Sequence, residues 1–267
     1  MFRSILITGY GAMASALLEG WLAAGIEKSR FTVHNPRPKP VPEGVRFTAD
    51  VPRTPFDAVV LGFKPQVLNE AAGPLAGGAV RHESCVLSLL AGVPCSTLDQ
   101  AFPGTAVRFM PNLAAKIGKS PVILYGPDLA GKQRTAVTLL AEATGGAFWL
   151  AIEGQFDAAT ALAGCGPAFV YRFIDAVMEG GVSLGLDAGE AGRLALRMVE
   201  GAAILAGQSE RSPGQLADLV ASPGGMTRKG LDVLDNDDAL AKLVGEALRS
   251  AAHHGATLAG KPPSKGA

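Results

Sequence analysis

Arg3-Ser4-Ile5-Leu6-Ile7-Thr8-Gly9-Tyr10-Gly11-Ala12-Met13-Ala14 decides how the first half of this chain is read. The apolar opening, Arg3 to Thr8, has the character of a buried strand, and apolar residues at helical spacing from Ala12 to Ala24 predict a helix. Between them, Gly9 to Ala14 fits G-x-G-x-x-A, the turn that joins strand to helix where a dinucleotide binds. Gly9 permits the tight turn, Gly11 lets backbone approach a pyrophosphate, and small Ala14 lets helix and sheet pack closely, with the anion at the positive helix end. A plain strand-helix turn with incidental glycines is the alternative.

Outward from that turn the alternation repeats. Phe31 to Asn35 is a second strand, and the proline-rich Pro36 to Pro42 cannot continue a ladder. Asp57 to Gly62, Cys85 to Leu89 and Ala106 to Phe109 are short apolar runs that suit strands covered on both faces. Pro121 to Tyr125 and Ala147 to Ala151 complete the sheet, with a helix over Leu129 to Thr144 between them. The pattern predicts an α/β, mostly parallel, Rossmann-type domain over residues 1–152. Over residues 153–267, β-branched runs give way to Ala, Leu and Gly at helical spacing, which predicts an all-α domain. Its expected helices are Phe156 to Ala163, Pro167 to Leu184, Ala188 to Gly207, Pro213 to Val220, Thr227 to Leu234 and Ala239 to His253. The helix around Leu194, Met198, Ala202 and Leu205 is more apolar than one solvent-facing helix requires, which points to a subunit interface. The polar tail Gly260 to Ala267 is expected to fray.

Composition narrows the partners. Lys and Arg total 24 and Asp and Glu total 24 in 267 residues, so no net charge draws the chain to nucleic acid or an anionic membrane. A small molecule is the expected ligand. Cys85, Cys95 and Cys165 are odd in number and lack CxxC spacing, so they read as reduced thiols of a cytoplasmic protein. The opening residues with Ala14-Ser15-Ala16 imitate a secretory signal, but Gly9, Tyr10 and Gly11 interrupt the apolar stretch. No uninterrupted apolar run approaches the roughly 20 residues of a membrane helix, and a soluble protein is expected. His34, His82, His253 and His254 form no metal-ligand pattern, and Asp157 and Glu210 read as caps or surface charges.

The form of the dinucleotide is read at the end of the second strand, where an acid would hold an adenosine ribose hydroxyl. Here the chain reads His34-Asn35-Pro36-Arg37-Pro38-Lys39, an amide with two cations suited to a ribose phosphate. NADPH is therefore expected, with NADH as the alternative donor, and a solvated basic loop as the plainer reading. Phe63-Lys64-Pro65-Gln66 follows the third strand and places a lysine and a helix-starting proline at the carboxyl edge of the sheet, where ligands bind in such folds. Leu90-Ala91-Gly92 would let a flat ring or ribose lie on the backbone. Asn112 suits a nicotinamide or ribose contact, or equally a turn cap.

In the helical half, Gly164-Cys165-Gly166-Pro167 reads as a kinked helix entry with Pro167 in the first turn. Cys165 as a nucleophile lacks a nearby histidine and is better read as a small residue near the site. Ser222-Pro223-Gly224-Gly225-Met226-Thr227 feeds a helix and exposes backbone N–H groups at its positive end, a cradle for a carboxylate, with a hydroxyl from Thr227. A cap and loop without ligand is the alternative.

GYGAMA, GFKPQ, SLLAGV, VRFMPN, DAATALAGCGPAFVY and SPGGMTRKGL, in that order, resemble the pyrroline-5-carboxylate reductase family along nearly the whole chain. The two C-terminal motifs are the more specific. The resemblance implies an intertwined homodimer, often assembled further into rings, whose site lies between one subunit's cofactor domain and its partner's helices. It implies that the loop at Ser222 to Thr227 holds the substrate carboxylate and that Thr227 lies close to the substrate ring nitrogen. Three positions depart from the family pattern. Cys165 replaces a serine, Met226 stands where a small residue or threonine is common, and Ser120 follows Lys119 where glycine is expected.

The activity implied is hydride transfer from NADPH to the C=N bond of 1-pyrroline-5-carboxylate, giving L-proline. Gly224, Gly225, Met226 and Thr227 would then fix the carboxylate through backbone N–H groups, with the Thr227 hydroxyl at the ring nitrogen. The alternatives are an NADP-dependent reductase of another cyclic imine or oxo acid, and a non-catalytic NADPH-binding protein.

Overall fold

A computed structural model of the chain describes residues 1–129 and 131–258; the tail Gly260 to Ala267 lies outside the described residues. By backbone contacts the chain divides into two compact units, Met1–Cys165 together with the chain from Ser250 onward, and Gly166–Arg249.

The first unit is built on eight strands among the described residues: β1 Ile5–Thr8, β2 Phe31–His34, β3 Arg46–Thr48, β4 Ala58–Leu61, β5 Cys85–Ser88, β6 Thr105–Met110, β7 Ser120–Tyr125 and β8 Gly145–Trp149. They lie in the order β3-β2-β1-β4-β5-β6-β7-β8. All neighbours are parallel except β6 and β7. The helices of this unit are α1 Ala12–Ala23, α2 Leu68–Ala76, α3 Cys95–Ala101, α4 Gly131–Glu142 and α5 Phe156–Ala159.

Alternation along the strands explains the layers. Ile5 and Ile7 of β1 join α1 and α4 residues such as Leu17, Trp21, Val137 and Leu140 in one core. Leu6 points the other way and packs with Leu68, Leu75 and Leu98 of α2 and α3. Both faces of the central strands are thus dry, as parallel sheets require, and each such side chain contributes about 1.5–3 kcal/mol by leaving water. Trp21 is fully buried, stacks on Phe31 at 5.7 Å and donates from Nε1 to the Leu140 carbonyl at 2.8 Å. Trp149 lies under the Arg134 guanidinium at 3.8 Å and donates to Thr138 Oγ1.

The expected strands and first helix are present within a residue or two at their ends. Two elements were not foreseen, β3 and α3, whereas the helix expected to start at Pro65 is present as a 3-10 turn that runs into α2. The entry to the helical half also differs, because α5 passes into a π-helical turn, Thr160–Gly164, instead of one helix to Ala163.

The second unit holds α6 Gly166–Ser183, α7 Ala188–Gln208, α8 Pro213–Val220, α9 Met226–Asp235 and most of α10 Ala239–Leu258. Pro167 lies in the first turn of α6, as the kinked entry requires. Ser212 and Gln215 form a reciprocal capping box at the start of α8. Within α6, α8 and α9 no residue is buried, and in α7 only Ala191 and Ala195 are. One described helical stretch, Glu153–Ser183, is long and apolar enough to cross a membrane. It is not an uninterrupted apolar run, since Glu153, Asp157, Arg172, Asp175 and Glu179 punctuate it.

Candidate active site

The register of the first unit sets its ligand edge. Thr8 pairs with His34 on one side and Leu61 on the other, Leu61 with Ser88, and Ser88 with Arg108. The residues that follow β1, β2 and β4, namely Gly9, Asn35 and Gly62, therefore emerge side by side. The chain runs from β1 toward β2 in one direction and later to β4 in the other, so Gly9 sits at the switch point where such sheets bind nucleotides.

Gly9 has φ +83°, and a Cβ there would lie 2.5 Å from the Phe63 backbone nitrogen. Its small size thus serves both the turn and a close approach to the loop after β4. At Gly11 the opposite holds: a Cβ would meet nothing within 4 Å. Gly11 caps α1 with no side-chain bond, and the first turn carries no acid. Gly11 and Ala12 are exposed, Met13 is half-buried, and Ala14 is buried. Open N–H groups at a positive helix end, with space above a glycine, suit a pyrophosphate.

Tyr10 is buried in the core, and its N–H donates to Asn35 Oδ1 at 3.1 Å. Asn35 Nδ2 donates in turn to the Arg37 carbonyl at 2.7 Å. One amide thus ties the glycine turn to the loop bearing the exposed Arg37 and Lys39. The Gly9 N–H donates to the His34 carbonyl at 3.0 Å, which completes the tie. Phe63 is half-buried, Lys64 is exposed, and Pro65 opens a short 3-10 turn ahead of α2. Ala91, half-buried, packs with Met110 near the ends of β5 and β6.

Asn112 is 4 % exposed and spends its side chain inside the protein: Oδ1 accepts from Ala114 N at 2.9 Å, and Nδ2 donates to the Ala163 carbonyl at 2.8 Å. The cap that was one of its two readings is present. Ser120, where the family pattern leads one to expect glycine, is wholly buried, and its Oγ accepts from the Asn112 N–H at 2.8 Å.

Two groups at this edge escaped the sequence reading. Thr8 Oγ1 lies 2.9 Å from His34 Nδ1 in a buried pair, and desolvation pushes the His34 pKa below its usual value. Arg108 is 4 % exposed and lies 3.8 Å above the Phe156 ring, with Glu153 at 3.4 Å and Asp157 at 3.0 Å. Glu153 also accepts from the Cys95 N–H at 2.8 Å. The register row, read from paired strands, is the signal that finds both. Burial pushes the Cys85 and Cys95 thiols up to about 12, so neither is a nucleophile near neutral pH.

In the second unit, Gly224 has φ +73° after Pro223, and the Gly225 N–H donates to the Ser222 carbonyl at 3.0 Å, the pattern of a type II turn. A Cβ on Gly225 would lie 2.6 Å from Ser222 Oγ, whereas Gly224 faces open space. Gly225 caps α9 without a side-chain bond. Its own N–H is committed to the turn, so the N–H groups of Met226 and Thr227, at the first helical positions, are among the donors that the helix leaves open. Ser222, Met226 and Thr227 are exposed, and Met226 is 93 % so.

A glycine turn at the switch point of a parallel sheet, opening an uncapped helix, places the chain among the Rossmann-type dinucleotide-binding proteins. Residues 153–258 match the family described as pyrroline-5-carboxylate reductase dimerisation. The chain is 34 % identical over 268 aligned residues to the pyrroline-5-carboxylate reductase of Pseudomonas aeruginosa, covering 96 % of each. Two solved structures are similar over 96 % of this chain and 98 % of theirs. One is a pyrroline-5-carboxylate reductase from Coxiella burnetii, with TM-score 0.86 and 28 % identity. The other is a pyrroline carboxylate reductase from Plasmodium falciparum with NADP bound, with TM-score 0.84 and 25 % identity. The chain belongs to the pyrroline-5-carboxylate reductase family.

Proposed function

We propose that this chain reduces the C=N bond of 1-pyrroline-5-carboxylate to give L-proline, the last step of proline biosynthesis, with NADPH as donor. The observation that carries the reading is the presence, in one family member, of an open glycine turn fit for a dinucleotide and a Pro-Gly-Gly turn feeding an uncapped helix fit for a carboxylate. NADPH supplies the hydride when bound. Gly9, Gly11, Ala12 and Met13 receive its pyrophosphate, while Tyr10 holds the turn through Asn35. Arg37 and Asn35 face the ribose phosphate. Phe63, Lys64, Pro65, Ala91 and Asn112 border the rest of the cofactor, Asn112 by shaping the loop after β6.

Ser222, Gly224, Gly225, Met226 and Thr227 hold the substrate. The Met226 and Thr227 N–H groups donate to its carboxylate, and Ser222 and Gly225 fix the turn. Thr227 Oγ holds a hydrogen bond to the ring nitrogen and relays a proton from water, since an unperturbed alcohol is a poor acid. In this reading residues 1–152 form the cofactor domain and residues 153–267 the dimerisation and substrate domain of a soluble cytoplasmic homodimer. Dimers assemble further into rings.

Loss of NADPH absorbance with 1-pyrroline-5-carboxylate tests the reading, and no loss rejects it in favour of a cofactor-binding protein without turnover. Thr227→Ala should lower kcat about 100-fold with NADPH affinity intact; unchanged turnover removes Thr227 from the mechanism. The exposure of Met226 beside the carboxylate turn favours a second reading, a reductase of another cyclic imine or oxo acid. Initial rates with the five- and six-membered imine carboxylates, each with NADPH and NADH, separate the two.

A further inference from the structure

The turn assigned to the substrate carboxylate lies between α8 and α9, and one side chain spans it. Arg228, in the first turn of α9, places Nη1 3.4 Å from Asp218 Oδ1 on α8. Its Nε lies 3.0 Å from Asp232, one turn along α9, and its Nη2 3.1 Å from Asp235, about two turns along. The Arg228 side chain is 30 % exposed, whereas Asp218 is 77 % exposed. Asp218 and Arg228 bracket the whole link from Ala221 to Gly225.

The helix dipole gives no reason for a cation here. The start of a helix is its positive end, which disfavours Arg and Lys. Yet the first turn of α9 holds no acid, and Arg228 and Lys229 follow directly on Met226 and Thr227. Asp232 and Asp235 compensate the cation within α9, but Asp218 lies on α8, and a contact that the helix does not need for itself marks a functional demand. The demand visible in the geometry is the tie to α8. Pro223 and the positive φ of Gly224 set the turn itself, but Ala221, buried just after α8 with its N–H on the Asp218 carbonyl, has its ψ of 75° set by neither the helix nor the turn. Rotation there would swing α9 and carry the Met226 and Thr227 N–H groups and Thr227 Oγ with it. A planar guanidinium reaching carboxylates on both helices fixes direction as well as distance, which an ammonium does not.

We propose that Arg228 is a positioning residue for the substrate carboxylate turn, holding α9 at its working angle to α8 through Asp218. The proposal rests on the assignment of Ser222 to Thr227 to the carboxylate. Exposed ion pairs add little to stability, so the effect belongs in substrate affinity.

Steady-state rates of the full-length enzyme with 1-pyrroline-5-carboxylate and NADPH test it, using Arg228→Gln, Arg228→Lys, Asp218→Asn and the double variant Arg228→Gln with Asp218→Asn. Arg228→Gln should raise the KM for the imine carboxylate about tenfold and Asp218→Asn about threefold, with the NADPH KM unmoved and kcat within about twofold. Arg228→Lys should fall between wild type and Arg228→Gln, and the double variant should be no worse than Arg228→Gln alone. Asp218 is exposed, so its variant folds and decides the matter even where Arg228→Gln does not. An imine KM unmoved by Asp218→Asn, or a rise in both KM values together, overturns the positioning role while leaving the activity standing. No NADPH consumption by the wild type overturns the functional reading and this proposal with it.

Discussion

The two units spend their apolar residues differently. In the first, β1, β2, β4 and β5 are buried at every position, and Leu17, Leu18 and Trp21 of α1 are sealed against them. In the second, Leu184, Leu194, Leu196, Leu205 and Val233 are all more than half exposed, and four long or medium helices bury two alanines between them. A parallel sheet closes its own core, because helices cover both faces. A few helices of this kind leave an apolar face that needs cover, far beyond the scattered apolar residues a monomer tolerates. The apolar stretch Glu153–Ser183 belongs to the same account, and residues 153–258 match a family described by dimerisation, which implies that the chain self-associates.

The strongest way to break this contrast is to charge the exposed face. Leu194→Glu with Met198→Glu should convert a dimer to a monomer, read by light scattering, and lower activity about a thousandfold, since burying two carboxylates costs several kcal/mol. A dimer of unchanged mass would show that this face is not the interface. Next in size is Arg108, whose loss tests the self-sufficiency of the first unit. Arg108→Ala leaves Glu153 and Asp157 without their cation and should cost about 3 kcal/mol in denaturant unfolding, somewhat less if these part-exposed acids are screened by water.

The two glycines of the first turn sharpen the contrast between shape and binding. Gly9→Ala meets backbone 2.5 Å away at a positive φ, and should lose about 2 kcal/mol of stability along with NADPH affinity. Gly11→Ala meets nothing, so its melting temperature should hold while the NADPH Kd rises about tenfold. Equal melting losses for both would refute the division of labour. The smallest effect is on pH. Burial lowers the His34 pKa from 6.5, so the folded state takes up its proton less readily than the unfolded chain does. That contribution is complete above about pH 6.5 and is lost as pH falls through the folded value. Unfolding midpoints should therefore drop on acidification, and His34→Asn should flatten that slope.

Much of this was legible in the residues. The first strand, the turn and α1 are a contiguous signal in which apolar period, glycine placement and helix start agree. β3 was missed because its three residues are exposed or half-buried and carry no apolar period. A helix after Pro65 was legible but its extent was not, because Pro74 lies inside α2, and α3 has only seven residues. The antiparallel pairing of β7 leaves no mark, since side chains alternate the same way in either direction. The π turn at Thr160–Gly164 changes hydrogen-bond partners without changing composition. At the site, residue types announced the Gly9 and Gly224 turns, whereas the commitments of the Tyr10 and Gly225 N–H groups, the closure of Asn112 upon Ala163, and the reach of Arg228 across two helices depend on where neighbours fall in space.

Both tryptophans, Trp21 in the dry core and Trp149 beneath Arg134, belong to the first unit, and the second holds only Tyr171 among the larger fluorophores. Indole emission accordingly watches the nucleotide half alone. Paired with far-ultraviolet circular dichroism, which senses helices everywhere, it gives two spectroscopic clocks: coincident traces would mean the halves melt as one, and a lag would time the helical half by itself.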